Sequence, residues 1–161
     1  MNLKEIKDYP NYSFDLDNNM VYSHYKNRHL KYDICGKYYS IQLYKNKKKK
    51  KFDIHRLVYE AHNGIIPIGY FIDHKNNDRT NNNIENLRLA THSENSWNRK
   101  AQKNNLSTGY KNISLTKFNS YNVQIRKYKK LVYCKTFKTL EEAINNRDIQ
   151  LKKFHKEFCN F

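Results

Sequence analysis

Between residues 38 and 44 the chain reads Tyr38-Tyr39-Ser40-Ile41-Gln42-Leu43-Tyr44, an alternation that predicts a half-buried strand. Upstream, residues 6–23 read as short strand, turn, short strand, with Pro10 and the Asp17-Asn18-Asn19 cluster as turn material. At Asp53 the spacing becomes helical: Ile54, Leu57, Val58 and Ala61 form one apolar stripe. Asp53 is a candidate N-cap, Asn63-Gly64 a natural stop, and Pro67 forbids continuation. Residues 69–74 predict a strand ending in two polar groups, Asp73 and His74. Residues 76–83 predict a loop and residues 87–90 the returning strand. Thr91 and Glu94 then have capping-box spacing, opening a helix expected to run to about Ala101 or Lys103.

The last third repeats a simpler pattern. Residues 109–115, 121–127 and 131–137 are three strand candidates; in the second, Tyr121, Val123 and Ile125 share one face while Asn122, Gln124 and Arg126 share the other. Thr139 and Glu142 form a second capping-box pair. Behind it Leu140, Ala143, Ile144, Leu151, Phe154 and Phe158 make an apolar stripe. The predicted fold class is α+β, in three small modules: residues 1–51, 52–103 and 104–161. Residues 99–108 are read as a basic linker, and neither end module is large enough for strong independent stability.

Charge changes this picture. The chain carries 31 Lys and Arg against 15 Asp and Glu, a net +16. Residues 1–51 hold 12 basic and 5 acidic side chains, residues 52–98 hold 4 and 6, and residues 99–161 hold 15 and 4. Basic arms flanking a slightly acidic centre point to a polyanionic partner, with the centre needing its own explanation such as a metal site. The run Lys47, Lys48, Lys49, Lys50 and Lys51 is either a solvated hairpin tip or a phosphate-contacting loop. Fourteen Tyr argue against a disordered basic tail. No apolar run reaches transmembrane length, and the N-terminus lacks a signal-peptide core. Cys35, Cys134 and Cys159 are too scattered for a metal knuckle or disulfide framework, so a reducing, intracellular setting is expected. Asn occurs 23 times, which weakens any argument from a single Asn.

Asp73, His74, Asn86 and Asn95 form the candidate constellation. On an extended strand Asp73 and His74 point to opposite faces. A carboxylate and an amide carbonyl are hard oxygen donors of the kind Mg²⁺ takes, an imidazole can act as a general base, and the Asn86 amide could orient that imidazole. Taken singly, each has a bland alternative as a structural histidine, a cap or a turn residue.

His55-Arg56-Leu57-Val58, Ile72-Asp73-His74, the run from Thr80 to Thr91 and Glu94-Asn95 together resemble the HNH homing endonucleases of phage and intron-encoded type. The resemblance implies a ββα-metal finger in which His74 is the general base, Asp73 and Asn95 hold Mg²⁺ or another divalent ion such as Mn²⁺, and Asn86 orients the histidine. Asn95 stands where many such enzymes have a histidine. His55 is read as structural or DNA-contacting, and Trp97 as packing the short helix onto its hairpin, with base stacking as the minor option. His92 is expected in a surface or capping role rather than on a phosphate.

The residues around Tyr9 and Met20 are similar to a small module found ahead of such nucleases, although Asn19 replaces its usual glycine. Residues 109–113, 137–143 and the last helix look like an AP2-like DNA-binding domain, with Tyr121 near the place of its usual strand tryptophan.

The expected function is a metal-dependent endonuclease acting on double-stranded DNA, of nicking or homing type, working as a monomer or dimer, and phage- or virus-encoded. Lys47, Lys48, Lys49, Lys50, Lys51, Arg88, Asn122, Gln124 and Arg126 are the expected DNA contacts. A DNA-binding protein without catalysis and an RNA-binding or RNA-processing protein are the alternatives. The complete four-residue set, which binding alone does not require, separates the first reading from these.

Overall fold

The computed structural model describes residues 1–100 and 107–159. The chain forms two compact units, Met1–Ala90 and Thr91–Phe161. This division falls inside the segment expected to form one nuclease module.

In the first unit, β1 (Leu3–Glu5), β2 (Tyr12–Asp15), β3 (Met20–Ser23) and β4 (Arg28–His29) make an antiparallel meander. Asn19 adopts φ 51° in the β2–β3 turn, as an asparagine can without a glycine. Buried Asp15 at the end of β2 accepts from Asn18 Nδ2 at 2.8 Å and pairs with His29 Nε2 at 2.7 Å. A second sheet follows: β5 (Asp33–Cys35), β6 (Tyr38–Lys45) and β7 (Lys48–Asp53).

The lysine run follows the hairpin reading and not the loop reading. Four of its five lysines lie on strand β7, not in a loop. Asn46 and Lys47 both take positive φ, 50° and 61°, between paired Lys45 and Lys48. That two-residue turn matches the twist of a hairpin and lets pairing begin at once. Lys48 to Lys51 are exposed on a sheet-edge strand, where charge also discourages edge-to-edge association.

Helix α1 (Ile54–Asn63) ends at Gly64, whose φ of 86° is the left-handed conformation glycine takes readily. Asp53 occupies the N-cap position in extended geometry, although its side chain makes no capping bond. Strands β8 (Phe71–His74) and β9 (Leu87–Ala90) complete the unit as a hairpin. Phe14 and Val21 of the first sheet, Ile41 and Leu43 of the second, the predicted face of α1, and Ile72 and Leu87 of the hairpin share one core. The N-terminal module therefore does not depend on its own small interior.

The second unit begins with α2 (His92–Asn98), held by the predicted Thr91–Glu94 capping box. The helix stops short of the expected length because Arg99 turns extended, with ψ 139°. Ala101 and Lys103 lie outside the described residues, as does most of the expected linker. Strands β10 (Ile113–Leu115), β11 (Tyr121–Lys127) and β12 (Lys130–Phe137) form an antiparallel sheet covered by α3 (Leu140–His155). Val123 and Ile125 are fully buried against Ala143 and Leu151, while Gln124 and Arg126 on the opposite face are exposed. Trp97 was expected on the hairpin. Within the second unit it stacks on His155, with ring centres 4.3 Å apart and planes 3° from parallel.

Candidate active site

The hairpin register determines what Asp73 and His74 can meet. Asp73 pairs with Arg88, His74 with Leu87 and Ile72 with Leu89. Paired residues share a face, so Asp73 and Arg88 lie on one side while Ile72, His74 and Leu87 lie on the core side. Both polar groups are buried, with Asp73 6% and His74 5% exposed. Arg88 donates from Nε at 2.9 Å and from Nη2 at 2.8 Å, both to Asp73 Oδ2. Expected to touch DNA, Arg88 has its guanidinium turned onto this carboxylate, and its side chain is only 11% exposed.

The group on the His74 ring is Asn82. Its Oδ1 lies 3.1 Å from Nε2. An amide oxygen only accepts, so Nε2 carries the proton and the ring lone pair sits on Nδ1. Asn86 was expected to do this. Its amide is engaged elsewhere, with Oδ1 accepting from Asn76 N–H at 3.1 Å and Nδ2 donating to the Asn81 carbonyl at 2.8 Å. Its carbonyl also accepts from Lys75 N–H at 2.8 Å. Asn86 thus ties the two ends of the loop that presents Asn82. Inside that loop Asn76 Oδ1 accepts from Asp78 N–H, Asp78 from Thr80, and Asn83 from Glu85 N–H. These local side-chain bonds are the means by which Asn and Asp stabilise turns.

Two further rings close on His74. His55 of α1 is 5.3 Å away, Tyr38 of β6 is 6.1 Å away, and the His55 and Tyr38 rings are 4.9 Å apart. Arg79 lies over the Tyr38 ring at 5.3 Å. His55 is 8% exposed, and its Nδ1 makes no hydrogen bond among the described residues. Burial, followed by the nearby His74, pushes its pKa down to about 4, so it is neutral at physiological pH. Of its two expected roles, the structure places His55 in the interior. Tyr38, Arg79 and Asn82 were not singled out from the sequence. Only the position of Asn82 inside the run of asparagines hinted at it.

Among the described residues no group of three or more His, Cys, Asp or Glu side chains gathers to hold a metal. The strand instead offers a single buried carboxylate, Asp73, contacted by Arg88 through one oxygen. A carboxylate is a hard oxygen donor of the kind Mg²⁺ takes, whereas a zinc-type site gathers thiolates and imidazoles. Asn95 is half-buried in the middle of α2. Among the expected DNA contacts outside the hairpin, Asn122 donates to Thr136 Oγ1 on β12 at 3.1 Å, while Gln124, Arg126 and the lysines of β7 reach solvent.

Residues 53–97 match the HNH endonuclease family. That HNH segment holds His55, Asp73, His74, Asn82, Asn86 and Asn95, and it ends before the β10–β12 sheet. Protein 3.8 of Escherichia phage T7 is 51% identical over 63 residues, covering 39% of this chain and 51% of that protein. An uncharacterized HNH endonuclease of Acanthamoeba polyphaga mimivirus is 30% identical over 110 residues, covering 68% of this chain and 56% of the relative. A solved structure of DNA binding and cleavage by the HNH homing endonuclease I-HmuI aligns with TM-score 0.54 and 35% identity, over 60% of this chain and 56% of that one. The chain spans about half the length of the curated relatives it matches. The mixed fold read from the sequence agrees with this neighbour.

Proposed function

We propose that the chain is a metal-dependent DNA endonuclease of the HNH homing type, hydrolysing phosphodiester bonds. The observation that carries this is His74, buried at the end of a hairpin within the HNH segment and held by Asn82 with its lone pair on Nδ1. In the reaction His74 Nδ1 takes a proton from water as the water oxygen attacks phosphorus in line with the departing 3′ oxygen. Asn82 keeps accepting from Nε2–H as the ring becomes charged, which favours the imidazolium. Neutral His55 places no second positive charge beside it. Asp73 and Asn95 are the proposed ligands of a divalent ion, Mg²⁺ or Mn²⁺, which when bound neutralises charge on the phosphoryl and leaving oxygens. By the family resemblance the products carry 5′-phosphate and 3′-hydroxyl ends. One set of groups cuts one strand, so a monomer nicks and a double-strand break takes two copies or two events.

Binding is assigned to the flanks. The exposed lysines of β7 contact phosphates, and the polar face of β11 approaches the major groove in the manner of an AP2-like sheet. The sheet that would do so has three antiparallel strands and is backed by one helix. The viral relatives support a phage or virus source, and action inside the infected cell is proposed with it. The test is incubation of the full chain with supercoiled plasmid and Mg²⁺ beside a His74→Ala control. Metal-dependent nicking that the control lacks is expected. Absence of nicking across A·T-rich substrates would leave a DNA-binding protein without catalysis, and nicking by the control would reject His74 as the base.

A further inference from the structure

The second unit contains a groove of about 580 Å³ that the assigned chemistry does not use. His92 and Trp97 of α2 form one wall, Lys111 reaches in from the segment before β10, and Arg126 and Lys129 come from β11 and the turn after it. No carboxylate lines it among the described residues; serines, amides, histidines and three cations do.

The walls are fixed before any ligand arrives. Lys111 Nζ donates to the carbonyls of Ser96, Trp97 and Arg99 at 3.3, 2.7 and 3.0 Å, so it closes the C-terminal end of α2. A seven-residue helix is too short to persist alone, and this clamp with the Trp97–His155 stack supplies what propensity does not. His155 Nε2 in turn donates to the Arg126 carbonyl at 3.0 Å, joining the wall to the sheet. Burial and the charge of Arg99 lower the Lys111 pKa to about 8, as expected of a cation that no carboxylate neutralises.

A preformed, cation-lined concavity without acids suits an anion. Its volume is that of a cleft for a nucleotide-sized group rather than for a lone small ion. We propose that this groove seats the phosphodiester backbone of a DNA strand, with Arg126 and Lys129 as its phosphate contacts. The identity of the strand as DNA rests on the endonuclease reading above. The assignment moves Arg126 from the major groove to the backbone. It also places a backbone contact on the body that carries Asn95.

The test uses the full-length His74→Ala protein, so that binding is read without cleavage. Affinity for two duplexes of unrelated sequence is measured from low to moderate salt for this protein and for added Arg126→Gln, Lys129→Gln and Lys153→Gln changes. Lys153, exposed on α3 and outside the groove, is the charge-matched control. Trp97 is the only tryptophan, so its emission reports both folding and occupancy of the groove. Each groove variant should lower the slope of log affinity against log salt by about one and weaken both duplexes equally. Lys153→Gln should leave the slope alone, and Trp97 emission should shift on duplex binding. The proposal fails if the double groove variant folds and keeps its slope. It also fails if the control loses as much, if only one duplex is weakened, or if inorganic phosphate moves Trp97 while duplex does not. Unmoved slopes in a chain that nicks plasmid remove the groove alone. Reduced slopes in a chain that never nicks remove the endonuclease reading and keep the groove.

Discussion

Replacing Asn82 by Ala separates two accounts of how His74 is held. The bond from His74 Nε2 to Asn82 Oδ1, at 3.1 Å, joins two neutral groups in the resting enzyme. Such a bond is worth about 1 kcal/mol net. In the proposed reaction, where His74 takes the proton from water, the same bond gains a charged donor and its worth rises to about 1.5–3 kcal/mol. The difference, about 0.5–2 kcal/mol, is stabilisation present only as the proton moves. Asn82→Ala should therefore lower kcat about tenfold and leave KM within about twofold. Removing the base itself, in His74→Ala, should cost about 10²–10⁴.

Asn82→Asp keeps an accepting oxygen and adds a charge that favours the protonated ring, so it should recover most of the lost rate. Single-turnover nicking of supercoiled plasmid across a pH series measures all three variants. The reasoning is refuted if Asn82→Ala stays within twofold of the parent while Asn86→Ala drops about tenfold. That result would mean Asn86 holds the ring, against its bonds to Asn76 and Asn81.

Arg88→Ala should destabilise the first unit by about 3 kcal/mol, because it removes a buried guanidinium from the buried Asp73 carboxylate; a urea midpoint that hardly moves would show the pair to be solvated. His55 makes stability pH-dependent. Its folded pKa of about 4 lies below the ordinary 6.5, so the unfolded chain takes up the proton first as pH falls. Stability is then full above about pH 6.5 and declines between 6.5 and 4, by about 3 kcal/mol in all. Urea midpoints at stepped pH should show this decline, and His55→Phe, which keeps a ring in place, should flatten it. Lys111→Met removes three carbonyl contacts at the end of α2 and should cost about 2 kcal/mol, with Trp97 emission shifting as its stack on His155 loosens.

The parts of this molecule legible in the sequence are those where residue type is dictated locally. The face of α1, the β9 strand, both capping boxes and the buried side of β11 follow from period and cap chemistry, and the structure has each of them. Asp73 and His74, the proposed metal ligand and base, are legible for the same reason, since few side chains can do that work. What was illegible depends on register between distant segments. The lysines of β7 become a strand only because Asn46 and Lys47 accept positive φ and Ile41 lies across from Phe52. Tyr38 reaches the His74 ring because β6 runs past α1, a contact 36 positions apart in the chain. The expected module boundary at residue 51 dissolves because β2, β6 and α1 bury their apolar sides in one interior.

Asparagine shows the limit most clearly. In composition its abundance looks like background, and that discounted Asn82. In the loop from Asn76 to Asn86 the same residue closes turns, ties the loop ends and sets a histidine tautomer. Several near-identical side chains stand there in a row, and only the fold of the loop decides which one touches the ring. A residue that acts chemically is constrained by type. One that orients it is constrained by place, and place is not local.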